Sequence, residues 1–125
     1  PSGAARDVFG ALEAALETGM AMLRPGNTFG AVHAAMIGAM RRAGYEGYFR
    51  GHFGHGLGAS VGSEEWPFIS ADNHEVIAPG MVLAIETPFY GKGIGALMIE
   101  DQVLMTEVGA ETMNTLPRDL RDLAS

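Results

Sequence analysis

From about Arg6 to Leu23, apolar residues recur at three- and four-residue steps, with Phe9, Leu12, Leu16, Met20 and Leu23 standing among alanines. That spacing lines one face of an α-helix and predicts that the face is buried. Arg24-Pro25-Gly26 stops the pattern. A second helix is expected to start at Asn27 or Thr28, whose short polar side chains can accept a hydrogen bond from the freed backbone N–H groups of a first turn. It carries Phe29, Val32, Met36, Ile37 and Met40 on one side and ends at Gly44, after Arg41 and Arg42, whose charges suit the negative end of the helix. The two make a helical hairpin with a short link.

Beyond Gly44 the helical period disappears. YEGYFRGHFGHGLGASVG reads as loop with a short strand, and Glu64 to Gly80, with Pro67, Asp72, Asn73, Pro79 and Gly80, has the composition of turns. Two β-rich runs follow in MVLAIETPFYGKGIGALMIEDQVLMT, separated by a flexible Tyr90 to Gly95. Glu111-Thr112-Met113 is expected to add a short third strand, and Leu116 to Ala124 a helical turn. There is no repeat, low-complexity tract or internal linker. The pattern as a whole predicts one α+β unit, two antiparallel helices packed on an antiparallel β-sheet.

The 125 residues, 47% hydrophobic and 18% charged, suit one domain with a real core and exclude a disordered chain. Fifteen acidic residues against eight basic ones give a net charge of −7, with no Lys/Arg cluster to follow a phosphate backbone, so nucleic acid is a poor partner. Without cysteine, a metal site must use nitrogen and oxygen ligands. No apolar run reaches the length of a membrane span and no address segment is visible, so no membrane partner and a cytoplasmic location are expected. The chain opens Pro1-Ser2-Gly3 and runs almost at once into a helical pattern, which is expected of a piece of something longer.

The chemistry begins with two acids inside apolar runs, Glu86 in VLAIET and Glu100 in ALMIED. An antiparallel hairpin centred near Gly93 places them directly opposite one another, where like charges are destabilising. Side-chain alternation turns Asp101 to the other face. A shared proton or a cation relieves the repulsion; the alternative is that one or both acids simply reach solvent at a sheet edge. Upstream, Gly51-His52-Phe53-Gly54-His55-Gly56-Leu57-Gly58 sets two histidines among glycines that let the backbone bend and approach closely. Imidazole together with carboxylates suits Mn, Co, Fe or Zn. His33 and His74 read as ordinary polar residues.

Gly54-His55-Gly56-Leu57-Gly58, Pro79-Gly80-Met81-Val82-Leu83-Ala84-Ile85-Glu86 and Met98-Ile99-Glu100-Asp101-Gln102-Val103-Leu104-Met105-Thr106, in this order, resemble the C-terminal half of the pita-bread metallopeptidases, the superfamily of Xaa-Pro aminopeptidases, prolidases, methionine aminopeptidases and creatinases. The helical portion fits too, through the Leu23-Arg24-Pro25-Gly26 link and the Gly44-Tyr45 helix end. The resemblance implies that residues 1–125 are the C-terminal portion of a single pita-bread catalytic domain. It implies that His55, Glu86 and Glu100 are metal ligands, with Glu100 bridging two divalent ions. It also implies a hydrolase of the Xaa-Pro aminopeptidase/prolidase type, cleaving peptide bonds near the N-terminus through a metal-bridged water. Its substrate would be a peptide with proline at the second position.

The family supplies two further aspartate ligands from strands ahead of the first helix, where only Asp7 stands here. The isolated chain is therefore expected to bind metal weakly or not at all, to be inactive, and to self-associate through an apolar face left open. The family histidine seven positions beyond the ligand is replaced by Gly62, within Gly62-Ser63-Glu64-Glu65-Trp66-Pro67, and Met98 stands where many Xaa-Pro members carry arginine. His52 is a candidate substrate contact and, with His55, Glu86 and Glu100, completes the expected catalytic set. Two alternatives stay open: a non-catalytic helix-hairpin interaction module, and a creatinase-like hydrolase that does not act on peptides.

Overall fold

The computed structural model describes residues 1–60 and 62–121. Helix α1 spans Gly3–Met22; the hydroxyl of its cap, Ser2, accepts from the Ala5 N–H at 3.2 Å. Helix α2 spans Phe29–Arg42 and is capped by Thr28, whose hydroxyl accepts from Ala31 at 3.3 Å. The turn-rich segment contributes to the same helix start, because Phe29 and Gly30 donate their N–H groups to the Glu75 and Asn73 carbonyls at 3.2 and 2.8 Å. Donors that a helix end leaves without intrahelical partners are thereby satisfied.

The strands are β1 (Gly54–Gly56), β2 (Val82–Glu86), β3 (Phe89–Gly91), β4 (Gly95–Leu97), β5 (Glu100–Thr106) and β6 (Gly109–Thr112). Four of them form an antiparallel sheet in the order β1-β2-β5-β6, with the two helices against it. Leu12, Leu16 and Leu23 meet Phe29, Val32, Met36 and Met40 from α2 and Leu83, Ile85, Val103 and Met105 from the sheet, all buried. Each large side chain removed from water in this way contributes roughly 1.5–3 kcal/mol. Gly19 lets α1 approach closely: a Cβ there would lie 2.5 Å from Met36 Sδ and 2.8 Å from Ile85 Cδ1.

Several local expectations are revised. The first helix begins at Gly3 rather than Arg6. The Tyr90–Gly95 connection is a two-stranded ribbon of its own, β3 with β4, turning at Gly93. The third strand starts at Gly109 rather than Glu111. Residues 116–121 are not helical, and residues 122–124 lie outside the described residues. The tail is drawn out instead by Asp101, which is buried on the core side and held by Asn114 and Arg118. The outward face of β5 carries Glu100, Gln102 and Leu104, with Glu111 of β6 beside Leu104, so it is polar except for one side chain.

Candidate metal centre

β2 and β5 pair so that Val82 faces Leu104, Ala84 faces Gln102 and Glu86 faces Glu100. This is the register symmetric about Gly93, and Asp101 does lie on the opposite face. His55 of β1 faces Ala84, so side-chain alternation puts His55, Glu86 and Glu100 on one face of the sheet, the face turned away from the helices. His55 is buried, and its Nδ1 lies 3.0 Å from the Gly56 carbonyl oxygen. A carbonyl can only accept, so Nδ1 carries the proton and the neutral ring keeps its Nε2 lone pair for a ligand.

Glu86 is buried and Glu100 exposed. Burial pushes the Glu86 carboxyl above the usual carboxylate range; His52 opposes the shift, and the charges of Glu100 and Glu64 add to it. His52 stands between two acids, with Nδ1 3.5 Å from Glu86 Oε1 and Nε2 3.4 Å from Glu64 Oε2. One nitrogen or oxygen from each of His52, Glu64 and Glu86 lies within 4.8 Å of the others, which makes these three a partial metal-binding site. His55 and Glu100 share the sheet face but are not in that tight group. Both sets offer imidazole and carboxylate donors and so fit a divalent ion of the Mn, Co, Fe or Zn kind.

Sequence reasoning passed over Glu64, reading its segment only for a missing histidine. It also misjudged His33, which is buried and donates from Nε2 to the Arg50 carbonyl at 2.9 Å, tying α2 to the segment that leads through His52 into β1. Between residues 44–50 and residues 88–90 opens a cleft of about 600 Å³ lined by Tyr45, Tyr48, Phe49, Arg50, Phe89 and Tyr90. Tyr48 donates to the Pro88 carbonyl at 2.7 Å across it.

Metallopeptidase family M24 matches the chain over residues 1–107. A probable dipeptidase PepE of Mycobacterium tuberculosis is 38% identical over 109 residues, covering 87% of this chain and 28% of that protein. An agropine synthesis cyclase of Rhizobium rhizogenes is 37% identical over 117 residues, covering 92% and 28%. The crystal structure of an X-Pro aminopeptidase from Thermotoga maritima superposes with a TM-score of 0.87 at 29% identity, covering 95% of this chain and 33% of that one. The chain thus spans about a third or less of the length of these relatives.

Proposed function

The chain belongs to metallopeptidase family M24, and we propose that it supplies one part of the active site of a metal-dependent hydrolase of the Xaa-Pro aminopeptidase/prolidase type, acting in the cytoplasm on peptides with proline at the second position. The observation that carries this reading is the placement of Glu86 directly opposite Glu100, with His55 on the same sheet face. His55, Glu86 and Glu100 would hold the divalent metal. Bound there, such a metal supplies Lewis acidity, which polarises a carbonyl and eases the deprotonation of water near neutral pH.

The protein's own residues do the rest. The Gly56 carbonyl holds the proton on His55 Nδ1 and so leaves the Nε2 lone pair available to a ligand. Hydrolysis adds water across the amide C–N bond, and the departing amine needs a proton. His52, set between Glu64 and Glu86, is placed to hold and pass it. The aromatic cleft beside Pro88 offers flat walls to a proline ring, and Arg50 offers a charge to a substrate carboxylate.

Calorimetry with Mn²⁺ or Co²⁺ on a longer protein carrying this chain, together with hydrolysis of Xaa-Pro dipeptides, tests the reading. Metal uptake and cleavage that both disappear in Glu100→Gln support it. No uptake by that protein would favour the helix-hairpin module instead. Uptake without cleavage of any peptide would favour a non-peptidase reaction, which the likeness to the agropine synthesis cyclase keeps in view.

A further inference from the structure

We propose that this chain alone holds a divalent cation at His52, Glu64 and Glu86, a site separate from the His55/Glu86/Glu100 centre and sharing with it only Glu86. The two histidines sit on one segment, but the acids reach them from different directions. The stretch from Glu65 to Ser70 runs back along His52 to Gly56: Gly56 and Glu65 exchange backbone hydrogen bonds at 2.7 and 3.3 Å, Phe53 donates to Ile69 at 2.9 Å, and His52 bridges Ser70. This return path brings Glu64 over the His52 ring. Gly56 permits it, since a Cβ there would lie 2.5 Å from the Trp66 carbonyl oxygen, which is backbone and cannot swing away.

Hydrogen bonding alone leaves this arrangement unsatisfied. Contacts of 3.4 and 3.5 Å are longer than the roughly 2.7–2.9 Å of charge-assisted hydrogen bonds. His52 Nδ1 is shielded from water and has no hydrogen-bond partner. A neutral imidazole has one N–H, so it serves one of the two carboxylates and turns a lone pair towards the other. Two ligands on one ion stand at most about 4.2 Å apart, twice a bond of roughly 2.1 Å, and the contact of His52 Nδ1 with Glu86 at 3.5 Å already lies inside that limit. Closing the group from its 4.8 Å spread takes a small side-chain movement, most readily by Glu64, which is half exposed. A cation accepts the ring's lone pair and offsets the two acids together.

The test is Mn²⁺ uptake by this 125-residue chain, followed through the EPR signal of the free ion and by calorimetry, with circular dichroism of each variant to confirm that it folds. The expected result is saturable uptake of one ion, weakened at least about tenfold in Glu64→Gln, partly restored in Glu64→His, and changed far less by Glu100→Gln than by Glu64→Gln. No saturable uptake by the unmodified chain, or uptake indifferent to Glu64→Gln, overturns the proposal. Uptake that responds to Glu100→Gln but not to Glu64→Gln would sink this site while supporting the centre proposed above.

Discussion

Glu86, the last residue of β2, faces Glu100, the first residue of β5, across an antiparallel ladder, one acid buried and the other exposed. Without a cation, this juxtaposition costs stability. Opposed like charges are worth a few tenths to about 1 kcal/mol, and the exposure of Glu100 puts this pair near 0.5 kcal/mol. Glu100→Gln is therefore expected to raise the melting temperature of the metal-free chain by roughly 2 °C. A thermal melt in the presence of a chelator checks this; a lower melting temperature would mean that the pair is not repulsive.

Asp101 presents the opposite case, a buried acid that is well paired. Only 2% of its side chain is exposed, against 28% for its Arg118 partner, and Asn114 donates to its other oxygen. Removing one partner of such a pair leaves a buried charge unmatched, so Arg118→Ala is expected to cost about 2–4 kcal/mol. Adding Asp101→Asn to Arg118→Ala should recover part of that loss. Urea unfolding of the single and double variants measures both effects.

Gly54 joins the two histidines to the sheet with a φ of +151°, and a Cβ on it would lie 2.1 Å from the Ala84 carbonyl oxygen. The obstacle is backbone, so it cannot swing away. Gly54→Ala is expected to cost more than about 3 kcal/mol, strain and collision together. Gly80→Ala, at φ +88° with open space around it, should cost only about 1–2 kcal/mol. Equal losses in the two variants, followed by circular dichroism melts, would show that the close approach to Ala84 is not what requires the glycine.

Tyr48 reports on the cleft. Burial raises its hydroxyl from the ordinary 10.0 to about 12, while Arg50 pulls in the other direction. The folded chain therefore holds this proton more tightly than the unfolded one. The stability that the protonated hydroxyl contributes is fully present below pH 10.0 and is lost as the pH climbs towards about 12. Ultraviolet titration should show a late tyrosine ionisation that is missing in Tyr48→Phe, and denaturant midpoints should fall across the same interval. A midpoint that stays flat there would contradict the assignment.

The helices, the strand register and the separation of Asp101 from the two glutamates were set by the sequence itself, because periods of 3.6 and 2 and the turn at Gly93 are local properties of the chain. Glu86 and Glu100 share a sheet face for that reason, whereas His55 joins them only through the pairing of β1 with β2, strands far apart in sequence. The company of His52 was decided by tertiary structure. Glu64 lies in a stretch with no period of its own, and only the return of residues 65–70 along residues 52–56 carries it to the ring. The burial of His33 and the extended tail have the same origin: each answers a partner distant in sequence, Arg50 for one and Asp101 for the other, and such pairings leave no repeating pattern along the chain.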